Sequence, residues 1–273
     1  MNYASHREQI LVYLGKFKRG FVHTKGWTTF ISALVISLIA CLVSGEEGFS
    51  RGIISSKIDQ TSFIVTCACI WIGLFNSITL ICQERDIVKH EYRSGMKLSA
   101  YIAAHMIFQA LIVLVEALIV TGIILLFYKS DIDSLERFGS FVIFRYVAYF
   151  LTIFLTIYAA DALGLLLSSI VKNIEQAMVI MPFTLLLQFL FSGQIELEGL
   201  LAVLTNATIS RFSLDGLLYL ASSKNKLETD FVGIAGGDPY PIFFCCLVLI
   251  IFSVGFSYLS MKRLKSVEHD TRD

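Results

Sequence analysis

Four ionisable side chains stand inside long apolar stretches of this sequence: His105, Glu116, Arg145 and Asp161. A charge facing hydrocarbon is expensive, so each is a functional candidate by default. Two uses are open. Glu116, Asp161 and Arg145 can pair inside a helix bundle and fix its packing, or Glu116 and Asp161 can serve an ion-coupled secondary transporter. Pairing is the preferred reading, because a relay needs more sites than these. Asn76 poses the same choice, since it can hydrogen-bond a neighbouring helix or line a pathway.

The groups that make an enzyme are missing. No Gly-x-x-x-x-Gly-Lys-Ser/Thr loop occurs, so nucleotide phosphates find no such cradle and any ATP is expected on another polypeptide. His-Glu-x-x-His, Gly-x-Ser-x-Gly and Gly-x-Gly-x-x-Gly are absent too. Glu46-Glu47-Gly48-Phe49-Ser50-Arg51 reproduces the Glu-Glu-x-x-x-Arg string of intramembrane CAAX-type proteases, where paired carboxylates activate water. Here it falls in a glycine-flanked connection, and no later histidine motifs accompany it. The six cysteines (Cys41, Cys67, Cys69, Cys82, Cys245, Cys246) lie in or beside apolar runs without the four convergent ligands of a structural zinc. They read as small apolar side chains. No catalytic residue, cofactor or metal is expected in this chain.

The densest charge lies at 83–97, which holds Glu84, Arg85, Asp86, Lys89, His90, Glu91 and Arg93. This stretch reads as a short helix with a narrow apolar strip of Ile87, Val88 and Tyr92. Gly95 suits a left-handed cap, and Ser99 stands where an N-cap would open the next helix.

The elements that must position these groups follow from composition. Of 273 residues, 56% are apolar and 16% charged, against about 45–50% and about 25% in soluble domains. One core cannot hide that much apolar surface, so the remainder faces lipid. Net charge is zero, with 22 basic and 22 acidic residues, which offers no basic field for nucleic acid. Apolar runs at 27–43, 61–82, 100–128, 141–171, 174–192 and 241–260 predict six transmembrane helices on the roughly 20 residues needed to cross, the third and fourth being long enough to tilt or project beyond the bilayer. The segments before, between and after them divide Lys and Arg unevenly. Fourteen fall in 1–26, 83–99, at Lys172 and in the C-terminal tail, against seven in the alternate segments. Both termini are therefore expected in the cytoplasm.

The charged stretch before Trp27 lacks the small-residue pattern of a removable leader. Within it, residues 2–22 predict an amphipathic helix at the membrane interface, with Ile10, Tyr13, Leu14, Phe17 and Phe21 on one face. Two apolar stretches within 194–221, too short to cross, predict outer re-entrant helices, tolerated where protein buries them or a cavity wets them. Residues 222–240 read as an exposed external loop.

The residues and their order resemble the ABC-2 type permeases, particularly those of G-subfamily-like ABC exporters. The resemblance covers essentially the whole chain. It is carried by Glu84-Arg85, His90-Glu91-Tyr92, Ser94-Gly95, Ser99-Ala100-Tyr101, Leu163-Gly164-Leu165-Leu166-Leu167-Ser168-Ser169, Asn173 with Glu175-Gln176-Ala177, Phe191-Ser192-Gly193 and Ser210-Arg211-Phe212. It implies an all-α membrane domain over 1–273 in the cell (inner) membrane. The domain would pair with a second permease, identical or different, and be driven by an ABC ATP-binding subunit that binds ATP and Mg. By the same resemblance, 83–97 and 2–22 form the coupling surface. The substrate path lies between the second and fifth spans, with Cys69, Ile72 and Asn76 opposite Pro182, Leu186 and Phe189. Gln194-Ile195 takes the place of an apolar outer gate. The cargo implied is hydrophobic or amphipathic: a lipid, drug or peptide.

Overall fold

The computed structural model describes residues 5–24, 26–45, 55–134, 142–195, 199–221 and 240–266. The Glu46–Arg51 string, most of the 222–240 loop and the Arg145 side chain lie outside the described residues. Among the described residues there is no strand.

The described residues form eleven helices in order: α1 (His6–His23), α2 (Thr28–Ser44), α3 (Ser55–Ser77), α4 (Leu80–Gln83), α5 (Arg85–Arg93), α6 (Leu98–Ser134), α7 (Val142–Ile170), α8 (Ile174–Leu190), α9 (Leu200–Thr205), α10 (Ile209–Ala221) and α11 (Ile242–Ser266). Among the described residues, four stretches are long and apolar enough to cross a bilayer: Ile58–Gln83, Leu98–Tyr128, Tyr146–Ile170 and Ile242–Lys265. The bent pair α1 and α2 makes a fifth if counted as one span, while α8 is a shorter apolar helix of 17 residues.

The bundle is built around α7, which packs on α3, α6, α10 and α11. Its crossing with α3 depends on two glycines. A Cβ at Gly73 would collide with the Ile157 carbonyl, and one at Gly164 with the Ser77 hydroxyl. Small residues let two backbones approach closely, which is how helices associate where lipid supplies no hydrophobic drive. Ser77 then donates to the Asp161 carbonyl at 2.7 Å, joining the helices at that crossing.

Helix α1 begins with a capping box: Ser5 Oγ accepts from the Glu8 amide and the Glu8 carboxylate accepts from the Ser5 amide. These bonds hold the Glu8 carboxyl below its ordinary range. The expected apolar face is present but covered. Tyr13 and Phe17 are buried against Tyr101 and Met106 of α6, so this stripe meets protein instead of lying open on lipid.

The two short stretches within 194–221 contain α9 and α10. Almost every side chain of α10 is buried, against α3, α7 and α11. Thr156 donates to Ser213 at 2.8 Å, and Thr66 meets the same hydroxyl at 3.3 Å. Satisfied this way, α10 is a plug inside the bundle's own core, the protein-buried case that non-spanning backbone requires. Its Arg211 and Asp215 form an internal ion pair at 3.1 Å.

Candidate functional site

The charged stretch 83–97 folds as the end of α4, a turn and α5, and contacts from three directions fix α4 and α5. From α7, Ser168 Oγ accepts the amides of Ile81 and Cys82, both at 3.0 Å, which satisfies backbone groups freed where the chain restarts after α3. The end of α7 also presents the Val171 carbonyl to Arg85 Nη1. From α1, Lys16 Nζ lies 3.2 Å from Glu84 and 3.9 Å from Glu91, and Tyr13 donates to Glu91 at 2.8 Å. From α6, Tyr101 donates to Glu84 at 3.2 Å. Burial raises the Tyr13 phenol above its ordinary value, and its bond to Glu91 adds to the rise. Gly95, at φ +100°, closes α5 in the left-handed region, and the Met96 amide returns to the Glu91 carbonyl.

The charged set therefore divides. Glu84, Arg85 and Glu91 are engaged inside the protein, whereas Asp86, His90 and Arg93 are exposed and Lys89 is half-buried. The expected apolar strip divides too: Val88 is buried and Tyr92 half-buried, but Ile87 faces out, 48% exposed. Ser99 is not an N-cap. Helix α6 opens at Leu98, one residue earlier, and the Ser99 hydroxyl meets His6 Nε2 at 3.0 Å. Lys97 instead turns its amide to Gln9 Oε1 at 2.9 Å.

Deeper in the bundle, the intramembrane acids meet amides. Asn76 Nδ2 donates to both Glu116 oxygens, at 2.8 and 2.7 Å, and links α3 to α6. Gln109 Nε2 donates to Asp161 Oδ1 at 2.9 Å and links α6 to α7. His105 is buried between Phe17, with ring centroids 3.9 Å apart, and Tyr101, at 4.7 Å. Gln109 and Lys16 are partners that sequence reasoning overlooked. His105, Gln109 and Glu116 share one face of α6 by their spacing, a signal for Gln109; Lys16 reaches Glu84 across 68 residues, for which the sequence has none.

A family model described as "ABC-2 type transporter" matches residues 11–198, more than half of the chain. The chain belongs to this family. It is accordingly a multi-pass membrane protein and a transporter's permease component, not a catalytic domain. Over 181 residues it is 25% identical to an "ABC transporter ATP-binding/permease protein" of Mycobacterium tuberculosis. That alignment takes in 64% of this chain but only 20% of the relative, whose name joins both roles in one protein.

Within this ABC-2 fold, the residues assigned to the substrate path sit as follows. Cys69 and Ile72 are buried in the core with α2, α6 and α7, while Asn76 is half-buried and held to Glu116. The exposed side of α3 carries Trp71 and Phe75 instead. On α8, Pro182 and Leu186 are exposed and Phe189 is half-buried, its ring 6.1 Å from that of Phe63 on α3. Gln194 is half-buried and Ile195 exposed, just past the left-handed Gly193 that follows α8. Several motif positions serve the local fold. Asn173 caps α8 by accepting the Gln176 amide at 2.9 Å, and Ser210 donates to the Gln188 carbonyl, tying α10 to α8.

Proposed function

We propose that this chain is the permease half of an ATP-driven exporter. It crosses the cell (inner) membrane six times with both termini in the cytoplasm. It pairs with a second permease, identical or different, and is driven by an ABC ATP-binding subunit that holds ATP and Mg. The observation that carries this reading is α5: a charged helix pinned to α1, α6 and α7 on one side, with Asp86, Ile87, His90 and Arg93 presented on the other. A partner that closes on nucleotide and grips the outward face would move α5, and the internal contacts would carry that displacement to α3 and α6 as tilt.

The cargo we infer is hydrophobic or amphipathic: a lipid, a drug-like compound or a peptide. Support comes from the apolar surface that Trp71 and Phe75 on α3 and Pro182, Leu186 and Phe189 on α8 present. Gln194 and Ile195 follow at its outer end. The two buried acids support packing over ion coupling, because Glu116 and Asp161 each receive an amide from another helix.

The test is reconstitution with candidate ATPases in sealed vesicles. Reversing exposed charges in the Asp86→Arg/Arg93→Glu variant should lower stimulated ATP hydrolysis and cargo movement roughly tenfold, as expected for charge clashes across an interface, while the permease still folds. Cargo movement in vesicles lacking any ATPase would overturn the reading.

A further inference from the structure

We propose that the cavity between α1, α2, α3, α4 and α6 is a binding site for the polar head of a neutral or zwitterionic amphiphile. The cavity holds about 370 Å³, within the roughly 300–1,000 Å³ of small-molecule sites. It contains no residue of α8 and shares only Asn76 with the residues assigned to the substrate path, and it does not depend on which partner supplies ATP.

Its lining states the chemistry. Phe17, Phe21 and Phe108 form an aromatic wall, with centroids 6.2 Å apart for Phe17 and Phe108 and 5.8 Å for Phe21 and Phe108. Lys16 and Glu84 stand at one side, 3.2 Å apart, and Glu91 lies 3.9 Å from the same Lys16 nitrogen. The cation is thus already compensated by two carboxylates, which disfavours a strongly anionic head.

Two lining residues carry polar atoms left bare. His105 Nε2 and Asn76 Oδ1 are buried without a hydrogen-bond partner. Buried polar groups are satisfied in the great majority of cases, so these two atoms are where a ligand's polar group would bond. Asn76 Nδ2 is spent on the Glu116 carboxyl group, and the carbonyl oxygen remains as an acceptor. The ligand must therefore bring a donor: a hydroxyl, an amide N–H or an ammonium. An imidazole packed on Phe17 and Tyr101 adds nothing to packing that phenylalanine would not supply. Its bare nitrogen marks a polar role. Gly20, Thr24 and Gln83 are exposed at the cavity's edge, which gives a head group entry.

A bilayer lipid and a soluble amphiphile share this head chemistry. The experiment uses the full chain in nanodiscs with two photoreactive probes, each bearing a diazirine close to the head. One is a phosphatidylethanolamine in the bilayer and the other an octyl glycoside added from water. Adducts are mapped by mass spectrometry. Labelling should centre on Phe17, Phe21 and Phe108, from the lipid alone if the source is the membrane and from the glycoside alone if it is the aqueous side. Gly20→Leu fills the edge, where an added Cβ meets nothing within 4 Å, and leucine favours a helix. It should cut that labelling roughly tenfold, as should His105→Phe, the loss expected when one buried hydrogen bond disappears. Adducts at the exposed Phe243 should not change. Neither probe reaching the three phenylalanines, equal labelling in Gly20→Leu, or equal competition by an anionic phosphatidylglycerol would each overturn the proposal.

Discussion

Tyr13 shows how one residue's chemistry reaches the whole coupling region. Its hydroxyl donates to Glu91 at 2.8 Å, and burial with that bond raises its pKa in the folded protein. A raised phenol stabilises the fold below its ordinary value of about 10, and that contribution fades only as pH climbs through the higher folded value. Tyr13→Phe should therefore lower unfolding stability by about 1 kcal/mol, by the same amount at pH 6 and pH 9, in thermal melts of the purified protein. A penalty that disappears by pH 9 would mean the phenol ionises there. Asn76 and Glu116 make a second residue-scale case. Asn76→Leu strands a buried carboxylate and Glu116→Leu strands two amide hydrogens, each costing about 1–3 kcal/mol. In the double variant both stranded groups are gone, so its melting point should lie above at least one single variant, a non-additivity that a mutant cycle measures directly.

At the scale of elements, the crossing of α3 and α7 is the joint on which the bundle turns. Gly164→Leu would push a side chain into Ser77 and force the helices apart. We expect a loss of at least roughly 1–3 kcal/mol from overpacking, read as a lower melting point, with Gly255→Leu on α11 as the tolerated control because nothing lies within 4 Å of its added Cβ. The sequence makes some elements plain and hides others for physical reasons. Helix α5 was legible because charge alternation and a following glycine are local signals, and Gly95 does adopt positive φ. The stripe on α1 was equally legible, but an apolar face is satisfied by lipid or by protein alike, so its partner α6 was not. Helix α10 carries Arg211 and Asp215 among apolar residues, which reads as a dip into lipid until the structure shows them paired with each other. The ties from Lys16 to Glu84 and from Gln109 to Asp161 join distant parts of the chain, and no spacing rule reaches that far.

For the whole molecule, the number of crossings turns on α8. Four long spans and the bent pair of α1 and α2 account for five, and an odd number would place the two ends of the described chain on opposite sides. The 17 residues of α8 extend about 25 Å at 1.5 Å each, short of a hydrocarbon core of about 30 Å. A short helix still crosses if the bilayer thins locally or flanking residues reach the interface, and Lys172 and Asn173 lie just before its first turn. The proposed crossing gives the steeper division of basic residues, fourteen to seven, because it sets Lys172 and the C-terminal basic residues on one side. Single cysteines placed in a cysteine-free background decide the matter. Ser94, Lys172, Gly45, Ile195 and Tyr240 are all exposed. Ser94→Cys and Lys172→Cys should react with a membrane-impermeant maleimide only in opened cells, whereas Gly45→Cys, Ile195→Cys and Tyr240→Cys should react in intact ones. If α8 were a re-entrant hairpin arm, Lys172→Cys and Ile195→Cys would label from the same side, and α11 would then have to run in the opposite direction.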